Sequence, residues 1–315
     1  MKKLILIALL ASCPLLPILA QEGSDEVGVW SEIGVEKAIT KNWDAGLDFE
    51  YRAQNKSRLS AGLSTSYKVN KYLKLGIGYN FLYSYRPDKY KEKNTKEEDP
   101  DNYYIGYNHT PEYWFPRHRF SVEATGSIKL WKWLKVSLRE RYQLTHCKAR
   151  SVDKLKVRQA YTTKVDMLWL EPGPDDDPFD PKFWEATPVY NYDVPDGEPT
   201  ETWESELKPA FTDQVLRSRI KLEFDKKRNP FSPFISAEFH NSVSKGDHML
   251  LQKIRTAAGV SYKFRKHNEV SLAYILTLDM YDVEFNYDLS NNITRDVVRL
   301  HDRMHAINVS YKYSF

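Results

Sequence analysis

Basic residues spaced two positions apart are the feature of this chain with the most chemical potential. Arg139 and Arg141 are followed by Arg217, Arg219 and Lys221, and then by Lys253 and Arg255. Asp44, Asp48 and Glu50 form an acidic counterpart earlier in the chain. In extended backbone, residues two apart point to the same side, so each set would project its charge from one face of a strand. A guanidinium-rich wall around an enclosed, wet space would favour anions. The same residues could instead fill a narrow interior with ion pairs, because buried charges need partners or water.

A second group, Asp175, Asp176, Asp177 and Asp180, clusters carboxylates, a donor set that suits calcium, although the spacing matches no defined calcium loop. Nothing else points to a cofactor. There is no His-Glu-x-x-His, no Cys-x-x-Cys, no glycine-rich phosphate loop and no Gly-x-Ser-x-Gly elbow. His240 near Ser242, and His146 near Thr145, are only loose arrangements of catalytic residue types. Nucleic acid is not an expected partner: the net charge is +3 over 315 residues, and no compact Lys/Arg cluster with interleaved aromatics occurs.

The elements that must position these charges are strands. From Trp43 to Gln54, Trp43, Ala45, Leu47, Phe49, Tyr51 and Ala53 share one face, while Asp44, Asp48, Glu50, Arg52 and Gln54 share the other. A helical period would scatter those acids around its axis. The same alternation returns at residues 58–69, 73–86, 119–130, 134–139, 216–224, 253–264, 270–279 and 307–315, with weaker strands at Val27 to Ile39 and Pro233 to Phe239. Strands of about 10–14 residues have the length that a tilted strand needs to cross a bilayer. Aromatics near strand ends, including Trp43, Tyr67, Tyr72, Trp131 and Trp133, suit interfacial girdles. A soluble sandwich or lipocalin-like barrel also alternates, but it turns its apolar face inward. The expected fold is therefore all-β: an antiparallel transmembrane barrel of about 10–12 strands with long extracellular loops.

Residues 1–20 have the pattern of a cleaved signal peptide. Lys2 and Lys3 lead into the apolar Leu4 to Leu10, and Ile18-Leu19-Ala20 precedes Gln21 as the favoured cleavage site. Leu10-Ala11-Ser12-Cys13 is a rival lipoprotein pattern, weakened by Pro14 and the apolar stretch after it. Cleavage after Ala20 leaves Cys147 as the one cysteine of residues 21–315, so no internal disulfide is expected.

The ending Tyr311-Lys312-Tyr313-Ser314-Phe315 resembles the terminal signal that bacterial outer-membrane barrels present to their assembly machinery, with Tyr311, Tyr313 and Phe315 as its aromatic residues. More widely, the segments Val29 to Val35, Lys71 to Tyr79 and Leu216 to Phe224 are similar to a family of uncharacterised outer-membrane barrels of Gram-negative bacteria, a domain of unknown function. That resemblance implies an integral outer-membrane location, membrane lipid and the barrel assembly machinery as partners, and no named active site.

Short turns fall at about residues 40–42, 70–71, 131–132, 226–231 and 265–268, on the expected periplasmic side. The segments at about 87–116, 146–211, 241–250 and 281–300 are then expected as extracellular loops. The longest, 146–211, is acidic and rich in aromatics, and part of residues 171–206 is expected to fold near Arg139, Arg141, Arg217 and Arg219. Leu155 to Trp169 alternates as an extra strand or an ordered loop would. The strands number eleven, whereas single-chain bacterial barrels usually have an even count, so ten or twelve is expected.

One residue breaks the outward face. Glu140 shares the parity of Leu134, Val136, Leu138, Tyr142 and Leu144, and the inferred registers put Ala124 and Ser218 on either side of it. A carboxylate there is either tolerated, with Ser218 as its hydrogen-bond partner, or marks a contact or a lipid-facing acid. The leading functional expectation is a non-enzymatic pore, uptake channel or binding barrel. The alternatives are a barrel enzyme acting on lipid or peptide, and a structural barrel with a plugged lumen.

Overall fold

The computed structural model describes residues 26–98, 102–131, 133–168, 187–226, 229–244, 249–289 and 292–315. Among the described residues, fifteen strands follow one another without a helix: β1 (Glu26–Ala38), β2 (Trp43–Ala53), β3 (Arg58–Lys68), β4 (Leu73–Arg86), β5 (Lys89–Asn94), β6 (Asn102–Thr110), β7 (Tyr113–Leu130), β8 (Leu134–Cys147), β9 (Arg150–Leu168), β10 (Thr187–Lys208), β11 (Phe211–Phe224), β12 (Phe231–Ser242), β13 (Leu250–Phe264), β14 (Asn268–Leu289) and β15 (Asn292–Ser314). Eleven of them close into a barrel in the order β1-β15-β14-β13-β12-β11-β8-β7-β4-β3-β2. β10-β9-β6-β5 form a separate four-stranded sheet. The chain accordingly divides into two compact units, the barrel and residues 87–113 with 150–208.

The all-β barrel expected from the alternation is present, but its strand count is odd. An up-and-down chain with an odd number of strands brings its first and last strands together running the same way. β1 and β15 therefore pair in parallel, from Glu26 opposite Met304 to Glu36 opposite Ser314, while the other barrel pairings among the described residues are antiparallel. This corrects both the even-count expectation and the purely antiparallel one. Phe315 completes the closing pair: its N–H donates to the Glu36 carbonyl and its own carbonyl accepts from Ala38, each at 3.0 Å.

The expected loops are corrected too. Residues 281–300 are not a loop at all, since β14 and β15 run on together to Leu289 opposite Asn292. The 87–116 and 146–211 segments supply β5, β6, β9 and β10, and the alternating Leu155 patch lies in β9. β10 evaded the period-two reading because it contains Pro188, Pro195 and Pro199. It is an edge strand, and its ladder to β9 shifts register between Pro188 and Tyr190 and between Asp196 and Thr200. Edges and bulges are where a sheet tolerates proline. In this sheet Tyr90 stacks on His109, and Tyr103 stacks on Tyr161. Residues 1–25, including the expected cleavage site, and the core of the acidic segment, 169–186, lie outside the described residues.

The barrel is turned inside out relative to a soluble protein. Leu47, Phe49, Leu63, Ile77, Val122, Leu138, Ile220, Ile235, Leu272 and Ile307 are exposed on its outer face. Asp44, Gln143, Thr145, Glu238 and Thr277 are buried on inward positions. Inside, Trp30, Ile275, Met304 and Ala306 form a small apolar cluster, with Ala257 against them. The turns after β1, β3, β7, β11 and β13 lie at one end of the barrel, and the long connections leave from the other. Trp131 and Arg265 take positive φ values of 46° and 57° in two of those short turns.

Candidate functional site

The barrel encloses a cavity of about 620 Å³, lined mainly by inward side chains of its strands. Arg139, Arg141, Arg217, Arg219, Lys221 and Arg255 all line it, as do Asp48 and Glu50. Period two accounts for this directly, since each residue shares its strand parity with the others of its set. Lys253 and Asp44 are not among the lining residues. Lys253 pairs with Asp279 at 2.7 Å, and Asp44 sits towards the short turns with Lys68 at 3.2 Å and Lys74 at 3.4 Å.

The centre of the charge network is Glu238, which sequence reasoning did not single out. It is 3% exposed. β12 places it level with Arg219 on β11 and Arg255 on β13. Its carboxylate accepts from Arg139 at 2.7 Å, from Arg217, and lies 2.7 Å from His240 Nε2 and 3.8 Å from Arg255. The only sign of it in the sequence was the alternation of Ser236, Glu238 and His240 against Ala237 and Phe239, in a strand whose apolar face reads weakly.

Further ion pairs interleave both signs around the lumen. Glu50 accepts from Arg52 at 2.7 Å and from Arg58 at 2.5 Å. Glu123 is held by Arg141. Asn80 donates to Asp48 at 3.3 Å, across a strand whose level residue is Gly62. A Cβ at Gly62 would collide with both side chains, so this bridge requires glycine between them. Arg52 lies over the Trp30 ring at 3.8 Å and Arg255 at 4.8 Å, while Trp30 Nε1 donates to Gln54 at 2.9 Å. The split into early acids and late bases is therefore less sharp than the sequence suggested. Arg52, Arg58 and Lys74 come from early strands, and Glu238 sits among the late bases.

His240 belongs to the Glu238 cluster, and no hydrogen bond between His240 and Ser242 is found among the described residues; the Ser242 hydroxyl is buried without a partner. His146 Nδ1 meets Thr212 Oγ1 at 3.0 Å rather than Thr145. No grouping of three or more His, Cys, Asp or Glu residues suited to a metal ion occurs among the described residues. The candidate calcium ligands Asp175, Asp176, Asp177 and Asp180 lie outside them.

On the outer wall, Glu140 pairs in register with Ala124 on one side and Ser218 on the other. Ser218 Oγ donates to Glu140 Oε2 at 2.6 Å. The polar contacts continue along the same strand pair, with Tyr142 donating to Gln214 at 2.5 Å and then the His146–Thr212 contact. Tyr311 and Tyr313 lie on β15, and Tyr313 packs on Phe315 at 5.6 Å between ring centroids.

Residues 27–168 match the model of a family described as a protein of unknown function, DUF2490. The resemblance to an uncharacterised family is borne out over that stretch, which contains two of the three strand motifs and leaves Leu216 to Phe224 outside. No curated protein matches the chain. Among solved structures, the chain is similar to the CymD monoaromatic hydrocarbon channel at 10% identity and a TM-score of 0.41, over 91% of this chain and 87% of that one.

Proposed function

We propose that this chain is an integral outer-membrane β-barrel whose basic lumen passes small anions. The observation that carries the reading is the pairing of a lipid-compatible outside with a charged, roomy inside. A closed barrel leaves no unpaired strand edge, which is what a bilayer demands of β structure. An apolar outer surface of this extent is a liability in water and an asset in lipid. Trp43, Tyr67, Tyr72, Trp131, Phe231 and Tyr262 are exposed near the short-turn end, which supports an aromatic girdle at one membrane interface.

Cations outnumber carboxylates among the side chains lining the cavity. Each carboxylate in the Glu238 and Glu50 clusters serves more than one cation, so the interior is a connected network with positive charge left over. Such a wall lowers the barrier for anions and raises it for cations. Export through a signal peptide cleaved after Ala20, insertion by the assembly machinery through Tyr311, Tyr313 and Phe315, and a Gram-negative envelope complete the reading. Short turns then face the periplasm and long connections the outside.

Reconstitution tests it. The detergent-purified chain should migrate differently on gels before and after heating, and should form conducting events in planar bilayers. A folded barrel that inserts without conducting would favour the plugged structural alternative.

A further inference from the structure

Arg119 is a lumen cation without an ion pair among the described residues. It lines the cavity from β7, towards the end where the long connections leave. Its Nε donates to Thr145 Oγ1 at 3.1 Å, which fixes the guanidinium in place. No carboxylate comes within ion-pair distance of it among the described residues. The strongest charges acting on it, those of Arg58, Arg217, Arg117 and Arg52, are of its own sign.

The carboxylates nearest this cluster in the ion-pair network already serve other cations, and Glu32, which also lines the cavity, makes no ion pair with Arg119. Glu50 is shared by Arg52 and Arg58, and Glu238 by Arg139, Arg217 and His240. Arg58 retains a buried Nε without an acceptor. Arg217 is steadied by Gln143, whose amide oxygen accepts from its Nη1 at 3.2 Å. Thr145 and Gln143 are themselves buried inward residues of β8, so the donors are mounted on the wall. Guanidinium groups that line one cavity and outnumber the carboxylates serving them favour an anion. Their planar forks match an acceptor with several oxygens better than a spherical halide.

We propose that the lumen binds an oxyanion, a carboxylate or a phosphate, between Arg119, Arg58 and Arg217. This deepens the reading of the barrel as an anion passage and rests on it for its biological sense: the site stands where an anion arriving from the long-connection side would first be held.

The test is calorimetric titration of the detergent-folded full chain with inorganic phosphate and, separately, with acetate, against chloride at matched ionic strength. Saturable binding of either oxyanion beyond chloride is expected, and the stronger of the two identifies the group recognised. Arg119→Gln should weaken it by about tenfold or more, the size of losing charge-assisted hydrogen bonds. Arg119→Lys should fall between. If Arg119→Gln loses heat-modifiable migration, Thr145→Val replaces it and should weaken binding by releasing the guanidinium. Wild-type binding no better than chloride, or folded variants that bind like wild type, would overturn the site. Bilayer recordings on the same preparation separate the two readings. Chloride conduction without oxyanion binding removes the site alone, and binding without conduction removes the passage alone.

Discussion

At the residue scale, the account turns on which carboxylates are buried among cations. Glu238 accepts from two arginines and meets His240 while itself buried on the lumen wall. Removing one partner of a buried ionic cluster strands the others, at a cost of about 3–5 kcal/mol. Glu238→Gln should therefore lower the midpoint of heat-induced gel shift in detergent, and an unchanged midpoint would show the cluster to be well hydrated. Glu140 predicts the reverse. It faces outward with Ser218 as its side-chain partner among the described residues, and an acid on a lipid face costs less than the about 2–4 kcal/mol of Arg or Lys at the midplane. Glu140→Leu should leave the barrel at least as heat-stable. Loss of an oligomer or a copurifying protein in that variant would mark the patch as a contact. The Ala124–Glu140–Ser218 row was legible in the sequence, because the short turn after β7 fixes its register with β8, and matching strand ends align β8 with β11. Glu238 was not, because Phe234 on the inward parity blurs the alternation of β12 and an acid two places from a histidine reads as ordinary polar surface.

At the element scale, the sheet of β5, β6, β9 and β10 carries its own electrostatics. Lys96 donates to Asp193, and together with the Tyr103 hydroxyl this holds the Asp193 carboxyl below its ordinary range. A depressed carboxyl stabilises the folded sheet at pH above its unfolded value, and the contribution is lost as pH falls through the folded one. The unit should thus become more open to protease at acid pH, and Asp193→Asn should remove most of that dependence. Glu206, held down in the same way by Lys208, supplies the remainder. A cleavage rate that ignores pH in both proteins would contradict the assignment. This sheet was half legible. Leu155 to Trp169 alternated clearly, whereas β10 hid behind prolines accommodated at an edge and its bulges. The run of β14 and β15 beyond residue 280 was hidden for a different reason. In β15, Arg295 and Arg299 share a parity with Ile293 and Val297, so the alternation is lost there, and it is the continuous ladder that defines both strands.

At the scale of the whole molecule, the parity of the strand count decided how the barrel closes. Eleven strands were countable in the sequence, but the parallel pairing of β1 with β15 was not, because each strand alone carries the same alternation whichever neighbour it takes. The charge of the lumen follows from that closure, since it gathers inward residues from eleven strands into one enclosed space. The most direct test is the reversal potential of the reconstituted barrel across a planar bilayer with a KCl gradient. A basic lumen predicts a potential displaced towards the chloride equilibrium value, and a smaller displacement when Arg119 and Arg58 are both changed to Gln. A potential displaced towards the potassium value would contradict the account.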